Sequence, residues 1–470
     1  MKKKVLIGLF CLVLLSVCQP VSAEIPLGSL MFSVEDTKQI RQQKTEYNRA
    51  YSILFSILAS SAAYSPENGI EKIYLRSHGW DFVPHRITDG KTTVHFTTAK
   101  GSMADGRPVY VISFRGSAEK KDWAADFRTG QVVYGGSTLD ESENAAAKLA
   151  AKEAGTKTLP KVHKGFNSYA DLTLRTLLDS GSSGFLQQYR REKDARLLLT
   201  GHSLGGAVAT IVGQRLIDFG FDPDRLQVIT FGAPAVGNNT FKQMYGTRLD
   251  LIRVTNTEDP VPLVLQGILL NYRQFGKEVR FRIPKTFNNM NHFLHLYLDS
   301  GLQYYYDALD AAVRKGILQD WPDIRCSSEN RPVILLYVEG SDRVKRNSTA
   351  NAESAMKLLE RFMLNEYKAL FPNYIVVRPP LDPYEALRAQ EADYLLLLKF
   401  HADTNQYNNN WFLTMEQTLS DKYGNLLASG SAAKRTSPLA GNILAALEVL
   451  SVQEKELLQH LSWLQGDTGK

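Results

Sequence analysis

The hydrophobic pattern of roughly the first 310 residues alternates between short apolar runs and longer stretches in which apolar residues recur every three or four positions. Apolar runs of strand length predict buried strands, and the periodic stretches between them predict helices. Because strands separated by helices form a parallel sheet, the pattern predicts an α/β fold with a mostly parallel central sheet. The predicted buried strands lie at 108–114, 196–200, 226–231 and 251–256.

Two further patterns precede these strands. Residues 36–65 carry dense apolar periodicity, which predicts a long helix buried against the sheet. Short alternating segments at 72–75, 79–83 and 92–97 predict antiparallel strands at one edge of the same sheet.

The run at 196–200 leads directly into Gly201-His202-Ser203-Leu204-Gly205, and a helical pattern starts at Ala207 without a loop. A strand, Gly-x-Ser-x-Gly and a helix in direct succession are typical of a nucleophile elbow, in which the serine lies at the apex of a sharp turn. We therefore expect Ser203 to be a nucleophile and the backbone N–H of Leu204 to donate to an oxyanion. The alternative is an ordinary turn between a strand and a helix.

A serine nucleophile near neutral pH needs a base that takes its proton and an acid that orients the base. Asp259 follows the strand at 251–256, where such an acid would lie, and Pro260 would stiffen its loop. The base should follow the acid in chain order. His292 and His295 both do so, and this criterion leaves them both open. His163 and His202 are interpreted as packing residues.

The strand at 108–114 ends in Arg115-Gly116-Ser117, which can present a second backbone donor at the carboxyl edge of the sheet. Ser117 is the predicted donor, and a simple Gly-Ser turn is the alternative. The segment that follows, 118–127, predicts a short helix. It is either a lid over the nucleophile or a surface helix that packs Trp123 inward.

The amino terminus predicts export. Three lysines, an apolar run from Val5 to Val17 and a small-residue site ending at Ala23 indicate a signal peptide over 1–23. The protein is then periplasmic or secreted, with a retained membrane anchor as the alternative. Loss of the three lysines lowers the formal net charge from +6 to +3, which is too small to indicate nucleic acid as a partner.

The cysteines agree with a bacterial exported protein. Cys326 is the only cysteine outside the predicted signal, so no intramolecular disulfide is expected. Cys18 follows Val17, which is unfavourable in a bacterial lipobox, and lipid anchoring at Cys18 is therefore not expected.

Taken in order, these segments resemble the class 3 lipases, the fungal-lipase-like branch of the α/β-hydrolases, over about residues 35–310. The resemblance implies that Ser203 is the nucleophile and Asp259 the acid. It also implies that the base is the histidine followed five residues later by tyrosine, which selects His292 with Tyr297 over His295. The motifs of this resemblance stand at 111–117, 122–126, 162–166, 201–207, 230–238, 253–262 and 292–297.

The resemblance places the oxyanion donors on Ser117 and Leu204. It implies hydrolysis of triacylglycerols, monoacylglycerols or phospholipids at a membrane or lipid surface, without choosing among these substrates and with no cofactor or metal ion. Ala235 stands where arginine is common in the family, and the Ala-, Lys- and Glu-rich stretch 136–160 is an unusual insertion. Both leave the shape of the substrate pocket open.

The remaining chain predicts a second domain. Residues 24–318 are interpreted as the hydrolase domain, 319–331 as a linker and 332–470 as a small α/β domain with the element order βαβαββα. This domain is weakly similar to small envelope-associated domains such as the amino-terminal part of the Tol-system propeller protein. We interpret it as a module that docks an envelope protein.

The predicted function is that of an exported serine hydrolase that cleaves acyl esters of lipids. Two alternatives remain open. One is an envelope binding or scaffold protein with a vestigial hydrolase domain, and the other is an acyltransferase or thioesterase that uses the same triad.

Overall fold

The computed structural model describes residues 38–90, 92–102, 106–116, 130–150, 158–178, 184–257, 259–266, 271–282, 292–326, 331–340, 350–404, 411–436 and 441–461. The predicted signal peptide, Ser117 and the predicted lid segment 118–127 lie outside these residues. In the part of the chain that is described, no helix has both the length and the apolar character needed to cross a membrane. The chain divides into two units, Thr45–Ala308 and a second unit that contains the described residues from Leu309 onward.

The first unit is built on a central sheet with the strand order β1-β2-β3-β6-β7-β8-β9. Strands β3, β6, β7, β8 and β9 run parallel, whereas β1 and β2 pair antiparallel at one edge. The strands are β1 (Val83–Asp89), β2 (Thr92–Ser102), β3 (Pro108–Phe114), β4 (Gln131–Val133), β5 (Lys161–His163), β6 (Arg196–His202), β7 (Leu226–Phe231), β8 (Asp250–Asn256) and β9 (Lys277–Phe281). Strands β4 and β5 form a separate antiparallel pair.

Most helices of this unit lie between its strands in sequence, as the alternating pattern predicts, whereas two precede β1 and one follows β9. They are α1 (Lys38–Ala62), α2 (Ile70–Ser77), α3 (Leu139–Ala150), α4 (Lys164–Leu178), α5 (Phe185–Arg191), α6 (Leu204–Asp218), α7 (Asn239–Tyr245) and α8 (Leu294–Arg314). Helix α6 is buried along nearly its whole length because most of its residues are small or apolar, and the guanidinium of the buried Arg215 donates to Gly135 and Asn167. This burial fixes the helix that follows the predicted nucleophile.

Two predicted edge strands are wrong: the segment 72–75 is helical, and of the segment 79–83 only Val83 belongs to a strand, as the first residue of β1. Residues 72–75 lie in helix α2, because Lys72, Tyr74 and Leu75 bury one face of a helical turn. Glu71 in the first turn and Arg76 in the last turn favour a helix through its dipole, and Gly79 ends the segment with φ +81°. A short apolar run does not by itself distinguish a strand from a helix. The predicted strand at 92–97 is confirmed as part of β2.

The second unit contains a mixed sheet with the strand order β10-β12-β11-β13-β14-β15. Strand β11 is parallel to β12 and β13, and the other pairs are antiparallel. Its elements are β10 (Ile324–Cys326), β11 (Ile334–Glu339), α9 (Ala350–Leu370), β12 (Asn373–Val377), α10 (Pro383–Ala389), β13 (Tyr394–Thr404), β14 (Trp411–Asp421), β15 (Leu426–Arg435) and α11 (Asn442–His460). From β11 onward the order is βαβαβββα, which has one strand more than the predicted βαβαββα, because β13, β14 and β15 follow one another without a helix. The predicted fold class is confirmed.

The segment predicted as a linker contributes to this unit. Ile324, Arg325 and Cys326 pair with Ile375, Tyr374 and Asn373 and add the edge strand β10. Asp323, just before β10, accepts hydrogen bonds from Lys368 and Arg378. The proline and serines around this short strand resemble a linker in the sequence. The segment can still form a strand, because an edge strand needs only a few ladder hydrogen bonds and little apolar content.

Candidate active site

Ser203 stands at the junction between strand β6 and helix α6. Its backbone adopts φ +58° and ψ −127°, a conformation that non-glycine residues rarely adopt. The N–H of Ser203 donates to the carbonyl oxygen of Phe231 at 2.9 Å, which ties the turn to the end of β7. This is the geometry of the predicted elbow. Its strain is held by the strands on either side.

The elbow also depends on close backbone approach. A Cβ on Gly205 would lie 2.1 Å from the carbonyl oxygen of Phe114 at the end of β3. Only glycine allows helix α6 to start this close to β3. Leu204 is the first residue of α6, so its N–H has no acceptor within the helix and is available to an anion at the elbow.

Asp259 and His292 form a buried pair at the same edge of the sheet. Nδ1 of His292 lies 3.0 Å from Oδ1 and 2.9 Å from Oδ2 of Asp259, and the two side chains are 1% and 0% exposed. A carboxylate can only accept, so Nδ1 carries the proton and Nε2 holds the lone pair that a general base needs. The acid and base of the predicted triad are therefore oriented toward each other.

The carboxylate of Asp259 is held by two further donors. The N–H of Val261 donates to Oδ1 at 2.9 Å, and the hydroxyl of Tyr297 donates to Oδ2 at 2.6 Å. The same hydroxyl accepts the N–H of Asn256 at 3.1 Å. Burial raises the pKa of Tyr297 well above its usual range, so the phenol keeps the proton that it donates. Together these donors fix both oxygens of a buried acid.

Gly232 shows how closely the three predicted triad residues converge. It follows Phe231, whose carbonyl oxygen accepts from the N–H of Ser203. A Cβ on Gly232 would lie 2.7 Å from Oδ2 of Asp259 and 3.0 Å from Nδ1 of His292. The end of β7 thus lies close to both the elbow and the acid–base pair, and the neighbouring strands β6 and β8 lead to Ser203 and Asp259.

The other candidate residues have different places. The ring of His295 stacks on Phe293 with centroids 5.6 Å apart, whereas it is His292 that hydrogen-bonds to Asp259. His163 is buried and stacks on Phe166 at 4.0 Å, and burial lowers its pKa to about 4. Ser117, the predicted second oxyanion donor, lies outside the described residues.

Two contacts of the site are not foreseen by the sequence. His202, predicted as a packing residue, is buried but also lies 2.7 Å through Nε2 from the carbonyl oxygen of His292. Tyr64, which follows α1, hydrogen-bonds to both Gly116 and His202. No spacing rule links residue 64 to the elbow, so this contact could only be found in three dimensions. Among the described residues, no group of three or more His, Cys, Asp or Glu side chains is placed to hold a metal ion.

Comparison with known proteins supports a lipase relationship. Residues 111–267 match the class 3 lipase family. A Saccharomyces cerevisiae protein with a provisional lipase name is 26% identical over 257 residues, which cover 53% of this chain and 70% of that protein. A chloroplastic phospholipase A(1) of Arabidopsis thaliana is 31% identical over 175 residues, 36% of each chain. A secreted mono- and diacylglycerol lipase of Fusarium solani is 30% identical over 183 residues, 37% of this chain and 44% of its own.

Apart from the yeast protein, the match thus spans less than half the length of these relatives. A solved structure of Rhizomucor miehei triacylglyceride lipase is similar with a TM-score of 0.38 and 21% identity, covering 54% of this chain and 83% of the lipase. The predicted resemblance to class 3 lipases and the predicted ester hydrolase class are confirmed by the family match and the named relatives. These comparisons do not distinguish triacylglycerol, monoacylglycerol and phospholipid as substrates.

Proposed function

We propose that this chain, whose residues 111–267 match the class 3 lipases, is an exported serine hydrolase that cleaves the acyl esters of lipids. The observation that carries the proposal is the buried Asp259–His292 pair at 2.9 Å beside an elbow that holds Ser203 in a strained turn. A structural turn needs neither the unusual backbone conformation nor a buried carboxylate with three donors. This combination is typical of nucleophilic catalysis.

In the proposed reaction, Oγ of Ser203 attacks the acyl carbon of the ester while Nε2 of His292 takes its proton. The carbonyl oxygen becomes an oxyanion that accepts the N–H of Leu204, with Ser117 as the predicted second donor. One such donor contributes about 2.7–4 kcal/mol to the transition state. His292 then protonates the leaving alcohol, and the ester bond breaks to leave an acyl group on Ser203. Water attacks this acyl-enzyme with His292 as base, which releases the fatty acid and restores the serine.

Exposed apolar side chains beside the acid support a lipid surface as the place of action. Leu263 is 65% and Val264 is 45% exposed, on the turn that follows Asp259. Two hydrogen bonds hold the turn in place: the side-chain amides of Gln266 and Gln274 both donate to the carbonyl oxygen of Pro262, at 2.8 and 3.1 Å. A fixed turn that presents apolar side chains next to a catalytic acid is suited to contact with acyl chains.

A hydrolysis panel tests the activity. Triacylglycerol, monoacylglycerol, phospholipid and short p-nitrophenyl esters are offered to the wild type, to Ser203→Ala and to Ser168→Ala. Ser168 is an exposed serine whose hydroxyl bonds to the carbonyl of Lys164, so its variant serves as the control. We expect Ser203→Ala to lose hydrolysis of every substrate and Ser168→Ala to retain it. Equal rates for wild type and Ser203→Ala would refute the triad.

Labelling distinguishes the hydrolase from the scaffold alternative. A fluorophosphonate should form one adduct, on Ser203, and mass spectrometry of the labelled peptide locates it. Absence of both labelling and hydrolysis would favour a vestigial domain. Transfer of the acyl group to an added alcohol or thiol in preference to water would favour an acyltransferase, and preference for thioesters would favour a thioesterase.

The proposals of export and of an envelope partner rest on the sequence. Export predicts that the mature protein begins at Glu24, which amino-terminal sequencing of the protein from its native host would test. The second unit is proposed to dock an envelope protein. Cross-linking in intact cells, with the full chain and with a chain that ends at residue 318, would test whether the second unit is required for a specific adduct.

A further inference from the structure

A chain of hydrogen bonds runs from the end of β3 to the backbone of the base. The N–H of Gly116 donates to the hydroxyl oxygen of Tyr64 at 2.9 Å, and this oxygen lies 3.2 Å from Nδ1 of His202. The other ring nitrogen of His202, Nε2, lies 2.7 Å from the carbonyl oxygen of His292. Tyr64 and His202 therefore connect the strand that leads to the predicted oxyanion donor with the residue predicted as base.

The donors and acceptors of this chain fix the tautomer of His202. A carbonyl oxygen can only accept, so Nε2 of His202 must carry a proton. Burial and the neighbouring His292 lower the pKa of His202 well below its usual range, so the ring is neutral and Nδ1 is an acceptor. The hydroxyl of Tyr64 can then donate to Nδ1 at 3.2 Å or to the carbonyl oxygen of His202 at 3.4 Å, and burial raises the pKa of Tyr64 so that this proton stays in place. Both acceptors belong to His202, so Tyr64 is tied to this residue in either arrangement.

The chain has little room to adjust. A Cβ on Gly116 would lie 2.3 Å from the hydroxyl oxygen of Tyr64 and 2.6 Å from the carbonyl oxygen of His202. The ring centroids of His202 and His292 are 4.5 Å apart. Movement of the phenol or of the His202 ring would therefore be transmitted to Gly116 or to His292.

We propose that Tyr64 and His202 are positioning residues that hold the end of β3 and the backbone of His292 in register with Ser203. The inference rests on the proposed function, because register matters only if these three places act on one substrate. Neither residue needs to touch the substrate. Their contribution is the placement of the oxyanion site and of the base, where an error of about 1 Å costs on the order of a hundredfold in rate.

The test compares variants that remove single links. Tyr64→Phe removes the hydroxyl and keeps the ring, and His202→Met removes the donor to His292. His202→Gln keeps a side-chain N–H that can reach the carbonyl oxygen of His292. Tyr189→Phe is the matched control, since Tyr189 is a buried tyrosine whose hydroxyl donates to a backbone carbonyl, that of Arg225, before the start of β7.

Rates are measured on a short p-nitrophenyl ester and normalised to active sites titrated with a fluorophosphonate. We expect Tyr64→Phe and His202→Met to lower kcat by about ten- to a hundredfold with little change in KM, as misplacement of reacting groups predicts. We expect His202→Gln to recover much of the loss and Tyr189→Phe to keep the wild-type kcat. In the double variant Tyr64→Phe/His202→Met, the two losses should be less than additive, because both variants break one chain.

A wild-type kcat per titrated site in Tyr64→Phe and His202→Met would overturn the proposal, as would equal losses in His202→Gln and His202→Met. A second measurement does not depend on activity. The ¹⁵N shifts of His202 should show a neutral ring protonated at Nε2 in the wild type, with a change at Nδ1 in Tyr64→Phe. A ring protonated at Nδ1 would also overturn it. Failure of the proposed function would appear differently, as a wild type that neither hydrolyses esters nor reacts with the fluorophosphonate.

Discussion

Replacement of Gly232 by alanine is the most direct test of how the acid and base are packed. Gly232 has φ +57°, and an added Cβ would lie 2.7 Å from Oδ2 of Asp259 and 3.0 Å from Nδ1 of His292. Ordinary van der Waals contact begins near 3.4 Å, so the carboxylate and the ring would have to withdraw by about 0.7 and 0.4 Å. The substitution therefore displaces both partners of the pair without removing any catalytic group.

Two costs follow and can be separated. An alanine in the left-handed region costs about 1–2 kcal/mol of stability, wherever it stands. Displacement of the pair by a substantial fraction of 1 Å should lower kcat by about ten- to a hundredfold. Gly220→Ala supplies the first cost alone, because Gly220 has φ +83° and nothing lies within 4 Å of an added Cβ.

The assay combines thermal unfolding with hydrolysis of a short p-nitrophenyl ester. In a unit of this size, 1 kcal/mol lowers Tm by about 2–4 °C, and both variants should show at least this shift. Gly220→Ala should keep the wild-type kcat, whereas Gly232→Ala should lose most of it at a temperature where both proteins are folded. A folded Gly232→Ala with wild-type kcat would show that the Asp259–His292 pair does not act in the reaction.

Three further outcomes follow from the same structure. Tyr297→Phe removes the 2.6 Å hydrogen bond to Asp259. Denaturant unfolding should show a free energy of unfolding lower by about 1.5–3 kcal/mol, and kcat should also be lower. An unchanged free energy of unfolding would mean that this hydrogen bond does not stabilise the fold. Burial lowers the pKa of His163 from 6.5 to about 4. Between these pH values His163 is protonated in the unfolded chain and neutral in the folded chain, so the stability of the fold decreases as the pH falls from 6.5 to 4. His163→Gln should therefore lose about 2 kcal/mol less than the wild type between pH 7 and 5, and equal losses would contradict the buried neutral ring. Leu263→Ser should slow hydrolysis of vesicle or emulsion lipid but not of a soluble ester. Val452→Ser changes another exposed apolar position, in the second unit, and should change neither rate; slowing of both substrates by Leu263→Ser would argue against a lipid contact.

The elbow can be predicted from the sequence because its residues are consecutive in the chain. Gly201 to Gly205 must form a strand-to-helix turn within five residues, and backbone sterics leave few residue types that permit it. The choice between His292 and His295 is different, because both follow the acid and lie three residues apart. The family resemblance selects His292 through Tyr297, and the structure shows a physical reason: the Tyr297 hydroxyl hydrogen-bonds to the same Asp259 that holds His292.

Contacts between distant segments are not visible in the sequence. Tyr64 lies just after a long helix, and nothing in the sequence relates it to His202. Residues 72–75 alternate between polar and apolar side chains as a strand does, although tertiary packing makes them helical. Strand β10 lies in a stretch whose composition indicates a linker, because an edge strand needs only ladder bonds to its one neighbour. These differences share a cause: each depends on a partner that is remote along the chain.

The elbow and the acid–base pair are held in different ways, and this difference locates the sensitivity of the site. The turn at Ser203 is fixed by backbone contacts, from its own N–H to Phe231 and from Gly205 against Phe114, and side-chain changes around it should leave it in place. His292 lies just before helix α8, and the side chains of Asp259 and His202 both contact it. A strained turn stabilised by the sheet can keep a nucleophile in place through many substitutions. The base depends on side-chain partners, so activity should be lost through its positioning residues well before the fold is lost.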